Sequence, residues 1–244
     1  HGVKMSISIH GGTLVVNYPL DGPVSNIYSA SKHDEYFKYI SKQYVENNRN
    51  FNSPFKDGIT NGAKWYSLFG GMQDWQYIYK NSFEITLELS HEKIIDEANL
   101  EKYWLDNVGS FINSIKLLHI GLKGKVTDPN IKKLSIINNN NSSEIKVSSN
   151  GFFCIPLKPD NYVLKYHDLT KTIIVKNNYT YLITIHYISR IFSVIETKIP
   201  GTLNRQTLTQ AKVPLAERIH VTSRLTNRQF PIRKRKRNFI CTLL

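Results

Sequence analysis

The chain has 244 residues, 41% of them hydrophobic and 21% charged, which excludes a collagen-like or wholly disordered polypeptide. No apolar run approaches the ~20 residues of a membrane-spanning helix, and two cysteines exclude a disulfide framework or a Cys-based zinc cluster. The net charge of +13 is uneven: residues 190–244 hold twelve Lys and Arg against Glu196 and Glu217, while residues 1–189 are nearly neutral, so the charge belongs to a tail and not to a nucleic-acid-binding fold.

The chain opens on His1, and no charged-apolar-cleavage pattern of a signal peptide follows it. Residues 5–9 alternate apolar and polar, the period of a strand. His10-Gly11-Gly12 interrupts, and Thr13 to Tyr18 reads as a second strand. Asn17 to Pro23 carries turn residues. Ser31 to Val45 reads as a helix: Ser31 can cap it, Asp34 completes a capping box, and Tyr36, Phe37, Ile40 and Tyr44 recur at helical spacing. Asn47 to Gly62 reads as a long polar loop. Ser82 to Leu89 alternates strictly, with Phe83, Ile85, Leu87 and Leu89 on one side and Glu84, Thr86 and Glu88 on the other. Glu97 to Leu118 reads as a long helix with one apolar stripe of Leu100, Trp104, Val108, Phe111, Ile112 and Ile115.

Past His119 the helical periodicity stops. Seven short runs rich in Ile, Val and Tyr follow: Ile120–Val126, Lys132–Ile137, Glu144–Val147, Phe152–Leu157, Tyr162–Tyr166, Thr172–Val175 and Tyr179–Tyr187. Turn residues separate them, and this spacing predicts a small β-sandwich. From Arg190 onward periodicity fades, and 190–244 reads as a mostly disordered tail.

Three features point to chemistry. His10 ends a strand beside two glycines that let a ligand approach the backbone. Glu88 is acidic on a strand otherwise built for burial. Asn61 to Tyr66 and Gly70 to Trp75 place aromatics and amides in Gly-rich loops. Taken singly each has a structural reading: a hydrogen-bonded histidine, a solvated glutamate, a loop anchor.

Their order changes the reading. His10-Gly11-Gly12-Thr13-Leu14-Val15-Val16-Asn17-Tyr18-Pro19, Asp57 to Ala63, Trp65-Tyr66, Gly70-Gly71-Met72-Gln73-Asp74 and Glu84 to Ser90 follow one another. Together they resemble the zinc metallocarboxypeptidases, in the regulatory branch of carboxypeptidases D, E, M and N. The resemblance covers most of residues 1–119 and runs on through His119 to Asp128, which looks like the start of that branch's transthyretin-like domain. It implies an α/β chain: an incomplete mixed-sheet carboxypeptidase domain over 1–119, an all-β transthyretin-like sandwich over 120–189 and the basic tail.

By this resemblance His10 matches a zinc ligand and Glu88 the general base that works on zinc-bound water. Tyr66 matches a mobile loop tyrosine that closes over substrate, and Gln73 a polar residue lining the side-chain pocket. Asp21 matches the acid at the pocket's base, where a carboxylate would pair with a C-terminal Lys or Arg. The family's other zinc ligands form a His-x-x-Glu pair, and its substrate carboxylate is held by an Asn-Arg pair and another Arg, all well upstream. Here Asp34-Glu35-Tyr36 follows His33, and Glu92 adjoins His91, so neither supplies the pair. Ser82, His91 and Glu92 stand where many relatives carry cysteines, so disulfide support there is absent.

Two readings follow: a fragment of a Zn2+-dependent enzyme acting on peptides or proteins with basic C-termini, or an inactive carboxypeptidase-like binding or scaffold protein without complete zinc coordination. The family implies the secretory pathway or the extracellular space, and Asn140, Asn141 and Asn178 stand in glycosylation sequons. In the tail, Arg233 to Arg237 precede Cys241-Thr242-Leu243-Leu244, which fits a prenylation signal at Cys241 and would give membrane association, against the plain reading of a basic disordered tail. Aromatics are scarce there, so no nucleic-acid partner is indicated.

Overall fold

The alternating stretch around Ile85 becomes an inner strand of a mixed sheet. In the computed structural model, which describes residues 3–139, 141–186 and 191–199, this strand is β4 (Phe83–Ser90). It pairs in parallel with β1 (Met5–His10) on one side and antiparallel with β2 (Thr13–Tyr18) on the other. The short β3 (Ile59–Asn61) adds in parallel to β2, giving the order β1-β4-β2-β3. The chain therefore crosses the end of β4 at Gly11–Gly12 to pass from one neighbour to the other.

Phe83, Ile85, Leu87 and Leu89 are buried toward one side, as the alternation predicts. The other side is buried too. Glu84 is 1% exposed and Glu88 7%, so this is not a solvated face of the usual antiparallel kind.

Helix α1 (Asp34–Asn47) packs its Tyr36, Phe37, Ile40 and Tyr44 into the core. The expected capping box does not form. His33 stands at the cap without a side-chain bond to the helix. The Asp34 carboxylate instead accepts from the Tyr28 hydroxyl at 2.8 Å and pairs with Lys38 at 2.9 Å. The stretch expected as a loop holds a 3-10 turn at Lys56–Gly58 and then β3. Two helices follow that periodicity did not predict, α2 (Gly62–Trp65) and α3 (Met72–Lys80).

The long helix is present as a 3-10 turn, Glu97–Asn99, running into α4 (Leu100–Leu117). Its inner side takes in only part of the apolar stripe: Phe111 packs against the core and meets the Tyr44 ring. Asn107, Ser110, Ser114 and Leu117 are buried, whereas Leu100, Trp104 and Ile115 are each half exposed or more. The reason lies in the contact with α1. The Tyr44 hydroxyl donates to Asn107 Oδ1 at 2.8 Å, and Ser110 Oγ donates to the Tyr44 carbonyl at 2.6 Å. Small polar residues let the two helices meet through hydrogen bonds, which leaves Leu100, Trp104 and Ile115 of the stripe outward.

Residues 121–199 contain strands and, among the described residues, no helix. One sheet has the order β10-β9-β6-β7 and the other β12-β11-β5-β8, with β5 (Gly121–Val126), β6 (Lys133–Asn138), β7 (Asn141–Lys146), β8 (Phe152–Pro156), β9 (Asp160–Tyr166), β10 (Leu169–Val175), β11 (Tyr179–His186) and β12 (Ile191–Lys198). Alternate residues from both sheets, among them Leu122, Phe153 and Ile183 from one and Ile136, Leu164 and Ile173 from the other, enter one apolar core. That core is continuous with the core under the first sheet.

β12 corrects the expectation that order ends at 189. It pairs antiparallel with β11 along Tyr179–His186. Its side chains are mostly exposed, so backbone hydrogen bonding holds it as an edge strand and no burial pattern announces it. The basic cluster and Cys241 lie outside the described residues, as does Asn140. No helix among the described residues is long and apolar enough to cross a membrane.

Candidate active site

The parallel register of β1 on β4 sets Ser6 beside Glu84, Ser8 beside Thr86 and His10 beside Glu88. All six side chains belong to one face of the sheet. At its end the His10 Nδ1 lies 4.0 Å from Glu88 Oε1. The second carboxylate oxygen of Glu88 is buried and has no hydrogen-bond partner. Burial raises the Glu88 pKa above the ordinary carboxylate value, against the opposing pull of His10 and Lys93. A carboxylate with one open oxygen and a raised affinity for protons suits a base that receives and returns a proton.

On the same face Asn17 follows Val15, which pairs with Glu88, by two residues. Past the end of β2 the chain turns so that Asp21 is buried at 3% exposure. Gln73, in the first turn of α3, donates from Nε2 to Asp21 Oδ1 at 3.1 Å and lies 3.5 Å from Asn17 Oδ1. Asp74 accepts the Asp21 backbone N–H on both oxygens, each at 3.0 Å. Burial first, and then the negative charge of Asp74, push the Asp21 carboxyl up to about 7.

Gly62 explains how the carboxylate fits. A Cβ there would stand 2.0 Å from Asp21 Oδ1, so any side chain at 62 would displace the acid. Asn61 fixes that corner. Its side chain caps α2 by accepting from Lys64 N and also bonds both the N–H and the carbonyl of Ser29 at 3.0 Å.

Tyr66 ends α2, half exposed. Burial raises its phenol pKa, and the charges of Glu88 and Asp21 add to the rise, so this ring is close enough to feel both carboxylates. The structure thus brings His10, Glu88, Asp21, Gln73 and Tyr66 into one neighbourhood. Asn141 opens β7, and Asn178 sits at positive φ in the turn before β11; both are exposed. Asp74 and Glu84 were not singled out by sequence reasoning. The signal for Glu84 was available: it lies four residues from Glu88, on the same face of the strand.

The donors do not complete a catalytic zinc centre. Among the described residues no three His, Cys, Asp or Glu side chains are grouped so that they could hold a metal ion, and a catalytic zinc takes three protein ligands. What is present is one imidazole with an open, buried carboxylate oxygen beside it.

The imidazole of His10 and the carboxylates of Glu88 and Asp21 stand in a stretch of sequence that is similar to known proteins. Residues 1–110 match the family described as zinc carboxypeptidase. Among curated relatives the chain is 42% identical over 139 residues to carboxypeptidase D of Homo sapiens, covering 51% of this chain and 10% of that protein. It is 40% identical over 145 residues to the carboxypeptidase N catalytic chain of Mus musculus, covering 54% of this chain and 32% of that protein. A further match, 40% identical over 143 residues, is carboxypeptidase E of Caenorhabditis elegans, of which the chain covers 30%. The chain is thus similar to carboxypeptidases D, N and E, and it spans between a tenth and a third of the length of these proteins.

Proposed function

We propose that this chain carries the base and the specificity pocket of a zinc carboxypeptidase that removes C-terminal Lys or Arg from peptides or proteins. The observation that carries the reading is the buried Asp21 carboxylate, bonded by Gln73, just past the end of the strand β2 that pairs with the Glu88 strand. A buried acid at the floor of a pocket pairs with a cationic side chain and leaves an apolar C-terminus with nothing to match its desolvation.

In this reading Glu88 takes a proton from the attacking water and returns it to the leaving amine. Tyr66 covers the bound substrate, Gln73 holds Asp21 in place, and His10 is one metal ligand. Zinc enters through the family, and its coordination requires two further protein ligands beyond those described. The sandwich of residues 120–199 corresponds to the branch's transthyretin-like domain, a support beside the site. The family's secretory or extracellular setting agrees with the exposed sequon at Asn178.

The test is hydrolysis of a peptide ending in Ala-Arg beside one ending in Ala-Leu, by the chain together with an upstream segment that supplies the two further metal ligands, with zinc added and after chelation. Selective release of Arg, lost on chelation, is the expected result. Binding of the Arg peptide without turnover, together with no zinc by metal analysis, would replace this reading with a peptide-binding module. Equal handling of both peptides would remove the role of Asp21.

A further inference from the structure

The face that ends in His10 and Glu88 contains a second buried acid. Glu84 is 1% exposed, and no cation pairs with it among the described residues. Its donors are two hydroxyls of the neighbouring strand. Ser6 Oγ donates to Glu84 Oε2 at 2.5 Å, and Ser8 Oγ donates to Oε1 at 2.7 Å. Ser82, fully buried, lies 3.5 Å from Ser6 and closes the row.

A buried carboxylate held only by hydroxyls is a costly way to stabilise a sheet, since packed apolar groups of the same volume are often neutral or better. What such a group supplies is register. β1 reads Met5-Ser6-Ile7-Ser8-Ile9-His10. A slip of two residues keeps every apolar side chain on the apolar side and every polar one on the other, so the hydrophobic pattern does not select between the two alignments. The same slip carries His10 roughly 7 Å along the strand, away from Glu88. The other restraint at this end is the crossing at Gly11–Gly12, where the Gly12 N–H bonds Ser90 O at 2.8 Å. Two glycines make the most permissive of hinges. Glu84 is different in kind, because one carboxylate spans two serines and satisfies both in one alignment alone.

We infer that Glu84 is a positioning residue: by bridging Ser6 and Ser8 it fixes the β1–β4 register that sets His10 opposite Glu88. The consequence for catalysis rests on the proposed function, whereas the register itself does not.

The test is to read cross-strand nuclear Overhauser contacts in the isotope-labelled full chain, a measurement that involves neither zinc nor substrate. The wild type is expected to give one set, pairing Ser6 with Glu84 and His10 with Glu88. The triple variant Ser6→Ala/Ser8→Ala/Glu84→Leu replaces the bridge by apolar groups of similar volume. It is expected to unfold at no lower a temperature than the wild type and to show a second set shifted by two residues. A merely structural role predicts lowered stability with a single set. Ser8→Ala alone, which removes one arm of the bridge, is expected to show the second set more weakly. One unshifted set in the triple variant overturns the inference, as does one unshifted set in Ser8→Ala should the triple variant not fold. Absence of Arg-peptide hydrolysis in the wild type, with its register as expected, would instead count against the function and leave the register inference standing.

Discussion

The two halves of the described chain bury different things. The sandwich encloses Leu, Ile, Val, Phe and Tyr from both of its sheets, with few buried polar groups, Asp128 and Thr180 among them. The β1-β4-β2-β3 sheet has an equally apolar side against α1, but its other side buries Ser6, Ser8, Asn17, Glu84 and Glu88, with Asp21 and Gln73 above it. Burying polar groups costs free energy unless each is satisfied. One region is therefore arranged for stability, and the other retains acids in places where stability alone would not put them. In the second region the open oxygen of Glu88 and the raised carboxyl of Asp21 are where function is expected.

That contrast can be broken most sharply at Glu88. Glu88→Gln should lower peptide hydrolysis by about 10²- to 10⁴-fold while leaving the unfolding midpoint unchanged or slightly higher, since it removes a partly desolvated charge. Steady-state kinetics beside thermal unfolding checks both parts. Leu164→Ala, in the middle of the sandwich core and fully buried, should do the reverse. It is expected to cost about 2–5 kcal/mol in denaturant unfolding and leave the ratio of Arg-peptide to Leu-peptide hydrolysis as it was.

Asp21 gives a smaller effect with a definite sign. Its carboxyl is raised to about 7, so between the ordinary carboxylate pKa of about 4 and that value the folded chain holds a proton that the unfolded chain has released. Its share of stability is thus present at low pH and is lost as pH rises through this window. Affinity for a cationic side chain runs the other way and should strengthen as pH rises past 7. Asp21→Asn should flatten both profiles and weaken binding of an Arg-ended peptide by about 10- to 100-fold, measured by calorimetry across pH. Least of all, Trp104→Ser on the outward stripe of α4 should change unfolding by no more than about 0.5 kcal/mol, because its side chain is already half exposed.

The same contrast explains what could be read from the sequence. The sandwich strands were legible because each has one wet face and one dry face, so the period of two survives in the residues themselves. β12 was not, since pairing alone holds it. In α4 the periodicity located the stripe but not which part of it faces inward, which depends on Asn107 and Ser110 meeting Tyr44 from another helix. The candidate site residues were found through motif order, and local pattern alone would have left His10 and Glu88 as ordinary strand residues. Glu84 was passed over because a glutamate on the polar side of a strand is normally wet, and only the serines across the ladder show otherwise.

The serine–glutamate bridge also bears on engineering this chain. A selection for heat resistance would favour apolar replacements at Ser6, Ser8 and Glu84, since each removes a buried polar group from the protein interior. If the bridge aligns the site, the hardiest survivors of such a screen would be the ones whose imidazole and base no longer meet, so robustness gained at these three positions should be scored against function from the first round.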